Sequence, residues 1–359
     1  MASAKYLLVG STEAHSGKSA TVLGLAHQLL EKGLDIAYGK PLGTFWSAID
    51  HIDEDVRFLA ETLNLPPQRL CPTLAALDDD SIDRRISGED GIDYAARLRD
   101  SVQTPTGDLV LLEAAGTLEE GRLFNLSLSQ IAEAIDATVV LVARCHSLQV
   151  ADSLLWAKSC LGDRLVGVLL NDIPPDQQEK VVSQLQPFLE RQGIPVLARL
   201  PRNNLLRSVS VRELVNQLQA EVLCRPDRLD LMVESLTIGA MNVNSALKYF
   251  RKAHNMAVVT GGDRADLQLA ALETSTQCLI LTGHIPPMAT ILTRAEDLEI
   301  PILSVDLDTL TTVEIVDRAF GQVRLHEPIK VHCVYQMMEK YLDVDRLMQQ
   351  LGLEPAVRA

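Results

Sequence analysis

Short apolar runs of strand length recur at 6–9, 36–39, 109–113, 138–143, 165–170 and 196–199, and stretches of helical period separate them. Helices are predicted at 19–32, 53–63, 94–102, 126–135, 150–160 and 175–192. The strand runs are continuously apolar rather than alternating, as strands covered on both faces are. Strand and helix taking turns in this way predict an α/β fold, a parallel sheet with helices on both faces. The acidic stretch 78–91 has neither a period nor an apolar face and is predicted to be an exposed loop or lid margin.

After Leu200-Pro201 the texture changes. A helix is predicted over 211–222, and Pro226 interrupts its continuation. A second series of strands and helices then follows at 235–241, 246–252, 256–259, 266–272, 278–281, 288–296 and 302–305. The chain is therefore divided into a first domain at 1–220, a smaller α/β domain at 221–330 and a helical tail at 331–359. Apolar positions between 329 and 351 are expected to dock on the second domain or on another subunit.

The first strand runs into Gly10-Ser11-Thr12-Glu13-Ala14-His15-Ser16-Gly17-Lys18-Ser19 and then into a helical pattern. A strand, a glycine-bounded loop, Gly-Lys-Ser and a helix make up a phosphate cradle. Backbone N–H groups at the helix start point at the anion, Lys18 reaches the terminal phosphates, and the Ser19 hydroxyl ligates Mg²⁺. The expected nucleotide-binding residues are Thr12, Glu13, Ala14, His15, Ser16, Gly17, Lys18, Ser19 and Ala20, the last through its backbone. Thr12 stands where the usual loop has its first glycine. A Gly-Lys-Ser that merely ends a strand and caps a helix remains the alternative.

Glu113 closes the strand 109–113, and in an open α/β sheet ligands sit beyond the carboxyl ends of the strands. Glu113 and Ser19 are therefore candidate Mg²⁺ ligands, unless the carboxylate only caps the next turn. Lys40 follows the second strand and brings a cation to the same edge, either for a phosphate or substrate carboxylate or as a solvated lysine. Asp53 and Asp55 open a helix, where carboxylates suit the dipole in any case, and Asp55 is a candidate for completing the metal shell. Asn171 follows the fifth strand with an amide suited to the edge of an adenine or to its own turn. In the second half, Gly261-Gly262-Asp263-Arg264 and Thr282-Gly283 follow strands, as anion sites or as tight turns. His15 and His284 lack partners for catalysis.

Of 359 residues, 47% are hydrophobic, ample for two packed domains. The net charge of −15 argues against a nucleic-acid partner. A strand begins almost at Met1 and no apolar stretch approaches the ~20 residues of a membrane span, so no leader, no membrane and a cytoplasmic location are expected. Six cysteines lack any C-x-x-C pair and are expected to be buried free thiols.

Together Gly10 to Ser19, Lys40-Pro41, Glu113-Ala114-Ala115-Gly116 and Asn171-Asp172 resemble the dethiobiotin synthetase-like branch of P-loop proteins over roughly 1–215. The resemblance implies ATP phosphates on the loop, Lys18 and Lys40 as catalytic cations, Glu113 on Mg²⁺ and Asn171 on adenine. Residues 224–330 look like a DRTGG domain, and the pair resembles the N-terminal part of long bacterial phosphate acetyltransferases. A catalytic domain for acetyl transfer is not expected in this chain. The turn after Glu113 keeps only Gly116 of the family's glycine-rich pattern, and no diaminopelargonate pocket is identifiable. The expected function is a cytoplasmic, homo-oligomeric regulator binding ATP and Mg²⁺, with a second small-molecule ligand or assembly role in the second domain. An ATP-dependent ligase acting on a carboxylate or amine is the alternative, and a scaffold with a vestigial nucleotide site is a third.

Overall fold

A computed structural model describes residues 5–43, 53–103, 107–321, 325 and 327–354. It contains two compact units, one formed by residues 1–202 and 325–359 and the other by 203–324.

In the first unit six strands form one sheet: β1 (Lys5–Ser11), β2 (Ile36–Gly39), β3 (Leu109–Glu113), β4 (Thr138–Arg144), β5 (Leu165–Ile173) and β6 (Val196–Pro201). Their order is β2-β3-β1-β4-β5-β6, and every pairing is parallel. Leu8, Val110, Leu112, Leu141, Val168 and Leu170 pack from one face against Leu98, Ile131, Leu154 and Ala157 of the helices Tyr94–Gln103, Leu128–Ala134 and Val150–Leu161. The order reverses at β1, so the loop after β1 opens between β3 and β4, where Val9 stands beside Glu113 and Gly10 beside Leu141.

Several expectations are corrected by the structure. The acidic stretch is not all loop, because Asp79–Ile86 is a helix. Asp78 caps it by accepting the Ser81 N–H at 2.7 Å, with Asp79 and Asp80 in the first turn and Arg84 and Arg85 in the last. Dipole, cap and one half-buried side chain, Ile82 packed on the core, hold this helix without a continuous apolar face, and none of its residues is fully buried. Asp78→Ala is expected to cost about 1 kcal/mol locally, read as roughly fivefold faster amide exchange over 81–86 with exchange elsewhere unchanged.

The tail packs instead within the first unit. Helices Pro328–Tyr341 and Val344–Leu351 return to the first, where Tyr335 stacks on His27 at 3.8 Å and the Asp343 N–H bonds Leu197 O at 2.9 Å. The cysteines are all free, but only four are buried, with Cys160 exposed and Cys333 half-buried.

The second unit begins at 203 rather than 221, because the helix Val211–Leu218 buries Val211, Leu214 and Leu218 against Val259, Ile280 and Leu303 of the second sheet. That sheet comprises β7 (Glu221–Cys224), β8 (Ser235–Gly239), β9 (Met256–Gly261), β10 (Thr276–Thr282) and β11 (Ile302–Ser304), in the order β7-β11-β10-β9-β8. Only β7 runs antiparallel. The predicted helix over 211–222 overran β7. Gln219 turns left-handed at φ 50° and the Ala220 N–H closes on Val215 O, which ends the helix and frees the edge strand. Helix Thr309–Gly321, capped by Asp308 through the Leu310 and Thr311 N–H groups, was also missed, since its β-branched start hides the helical period.

Candidate nucleotide site

The first helix, Lys18–Glu31, starts on Gly17 at φ 86°, with no side-chain cap and no acidic residue in its first turn. The first N–H groups of a helix have no acceptor within it, so this end offers donors and a positive dipole to whatever lies over the loop. A Cβ on Gly17 would run into Asn171 Nδ2, which itself donates to Ser16 O at 2.8 Å. Ser16 is buried, and its hydroxyl has no hydrogen-bond partner among the described residues. That orphaned hydroxyl and the uncapped amides suit a polar ligand seated on the loop.

The structure brings three of the expected residues together at the mouth of the loop. Ser19 Oγ donates to Glu113 Oε1 at 2.8 Å, Lys18 Nζ donates to Ala115 O at 2.7 Å, and Lys18 Nζ stands 4.0 Å from Glu113. Burial lowers the Lys18 pKa, opposed chiefly by Glu113. Oxygen donors of this kind, a hydroxyl and a carboxylate side by side, fit Mg²⁺, which takes the rest of its octahedron from phosphate and water. No group of three His, Cys, Asp or Glu side chains arranged for a metal occurs among the described residues, so a cation here depends on such supplementary oxygens.

Lys40 and Asp55 stand in a different relation from the one expected. Lys40 Nζ lies 3.1 Å from Asp53 and 2.6 Å from Asp55, and Asp53 also caps the helix Glu54–Thr62 by accepting the Asp55 N–H. Burial works against the Lys40 charge, but Glu113, Asp55 and Asp53 outweigh it and raise its pKa. Asp55 is thus a partner of Lys40. Of the remaining loop positions, Thr12 donates its N–H to Val142 O at 3.3 Å and continues the strand. Glu13 reaches Arg144 at 4.0 Å, and exposed His15 takes a left-handed φ of 53°.

Three features were missed. Tyr38 is fully buried at the end of β2 and donates to Glu113 Oε2 at 3.0 Å. Burial, and then Glu113, push its phenol pKa well above the ordinary value. The signal was available, since a tyrosine in a buried strand needs a partner for its hydroxyl. Glu120 closes the turn after β3 by accepting the Gly116 and Thr117 N–H groups. Asp172, left-handed at φ 55°, binds Arg202 at 2.9 Å and Arg144 at 3.5 Å beside Asn171.

In the second unit the glycine pair serves a tight turn. A Cβ on Gly262 would strike the Ile285 carbonyl, and Gln268 Nε2 ties the Gly261 and Gly262 carbonyls at 2.9 and 3.0 Å. Arg264 is spent on Asp266, with both contacts at 3.0 Å, and on Met241 O.

Residues 5–210 match the AAA domain family and residues 213–319 the DRTGG domain family. The phosphate acetyltransferase of Synechocystis sp. is 26% identical over 370 residues, covering 96% of this chain and 51% of the relative. That of Nitratidesulfovibrio vulgaris is 25% identical over 369 residues, again covering 96% and 51%. The ATP-dependent dethiobiotin synthetase of Pseudomonas aeruginosa is 28% identical over 209 residues, 54% of this chain and 88% of that enzyme. The chain spans about half the length of the acetyltransferases it matches. Among the described residues no helix is long and apolar enough to cross a membrane.

Proposed function

The chain belongs to the AAA domain family, whose match over 5–210 takes in the whole six-stranded sheet, and from that premise we propose that it is a cytoplasmic regulatory protein binding ATP with Mg²⁺. The observation that carries this reading is the Ser19–Glu113 pair, 2.8 Å apart, at the uncapped start of the first helix. In the bound state the amides from Ser16 to Ala20 and the Lys18 ammonium hold the phosphates, Lys18 leaving Ala115 O to do so. Ser19 and Glu113 hold Mg²⁺, which would neutralise phosphate charge. Asn171, braced on the loop through its NH₂ group, presents its carbonyl side to the adenine amino group.

The DRTGG unit then senses a second small molecule or joins copies of the chain, and nucleotide occupancy shifts that equilibrium by its differential affinity for two states. Acetyl transfer forms no part of this reading. Isothermal calorimetry with ATP and Mg²⁺ tests it. Lys18→Ala is expected to weaken binding at least about 30-fold, as loss of a charge-assisted contact worth about 2 kcal/mol or more implies. Wild-type affinity in that variant, or no heat from the wild type at millimolar ATP, sinks the proposal. Light scattering with and without ATP reads the assembly.

The dethiobiotin synthetase match over most of that enzyme's length favours one second reading, an ATP-dependent ligase in which Lys40 orients a carboxylate or amine acceptor. Phosphate release with such substrates, abolished by Lys40→Ala, separates it from pure sensing.

A further inference from the structure

We propose that Tyr38 is a positioning residue for the metal-bearing side of the nucleotide site, an assignment that rests on the Mg²⁺–ATP reading above. Glu113 is a buried carboxylate with two oxygens in different company. Oε1 accepts the Ser19 hydroxyl at 2.8 Å and Oε2 accepts the Tyr38 phenol at 3.0 Å. Tyr38 is fully buried and Glu113 only 1% exposed, so water does not replace the phenol.

The backbone adds to the constraint. Tyr38 and Gly39 lie on β2 in register with Leu111 and Leu112 of β3, and Glu113 follows directly. Strand pairing therefore fixes where the phenol can stand. A carboxylate held by one hydroxyl still rotates about its terminal torsion, whereas one gripped on both oxygens keeps Oε1 turned toward Ser19. Groups that hold a metal ligand in this way typically change metal affinity 10–100-fold when lost. Tyr38 touches neither nucleotide nor metal in this arrangement and acts through Glu113.

The test uses the full chain and titrates Mg²⁺ at fixed ATP, against ATP in EDTA. In Tyr38→Phe the Mg²⁺ concentration at half-enhancement is expected to rise about tenfold, and the enhancement of ATP affinity by Mg²⁺ to shrink accordingly. With Mn²⁺ as probe, the paramagnetic resonance of the ATP complex is expected to broaden as the carboxylate loses its fixed orientation. In a Glu113→Ala background Tyr38→Phe is expected to add nothing.

Equal losses with and without Mg²⁺ would show a merely structural role and overturn the assignment, as would an unmoved midpoint. Because Tyr38→Phe risks misfolding, a wild-type chain carrying 3-fluorotyrosine supplies a second readout, with Tyr94→Phe identifying the other buried tyrosine. The Tyr38 fluorine signal is expected to move when Mg²⁺ joins ATP, and a stationary signal overturns the proposal. If the wild type itself shows no Mg²⁺ enhancement, the parent reading fails. If the wild type shows it and Tyr38→Phe keeps it, only this inference does.

Discussion

Replacing Gly17 with valine is expected to lower ATP affinity at least about 100-fold while the protein still unfolds cooperatively. The residue occupies φ 86° and serves as the N-cap of the first helix. A left-handed conformation costs an ordinary L-residue roughly 1–2 kcal/mol, and a β-branched one more. The added Cβ would also collide with Asn171 Nδ2, the donor that braces Ser16 O. The loop can relieve both strains only by moving its backbone, which carries the amides proposed to hold phosphate. Losing two hydrogen bonds to a charged phosphate, at about 1.5 kcal/mol or more each, costs on the order of 10²-fold in affinity. Calorimetry with ATP and Mg²⁺, paired with urea unfolding, checks the result. Affinity within threefold of wild type would mean that phosphate is held elsewhere.

Where a signal is local, the chain's chemistry was readable before its structure. Gly17, Lys18 and Ser19 lie within one turn, and Glu113 ends a strand whose apolar run identifies it as central. Their meeting follows from sheet order alone. Tyr38 was passed over because an apolar run conceals one polar atom among buried carbons. Lys40 was legible as a cation at the right edge, but its captors Asp53 and Asp55 lie beyond 44–52, which fall outside the described residues. Spacing in sequence does not convey that closeness. The Asp79–Ile86 helix was hidden for the opposite reason, since caps and charges stabilise it and periodicity detects only apolar faces. At 261–264, glycines required by packing and glycines required by a ligand look identical until Ile285 is seen over Gly262.

An amphipathic tail announces that something covers it without saying what, and the consequence is testable by deletion. Removing 328–354 is expected to abolish cooperative unfolding of the first unit and ATP binding with it. Val334, Met338, Leu347, Met348 and Leu351 are each at most 5% exposed. At about 1.5–3 kcal/mol for each buried side chain, their gross contribution is on the order of 10 kcal/mol, comparable with the whole net stability of a domain. Lys5 of β1 also reaches the Leu351 and Gly352 carbonyls, and Arg346 grips Glu190 at 2.8 Å through two nitrogens. A single substitution isolates the contact by its sign. In an open helix Gly→Ala stabilises by about 1 kcal/mol. At Gly24 the new methyl would run into Met338 Cγ and stand 3.0 Å from Val334 Cγ1. Gly24→Ala is therefore expected to destabilise by about 1–3 kcal/mol, as overpacking does, measured by urea unfolding. A stabilised Gly24→Ala protein would mean that the tail does not rest on the first helix in solution.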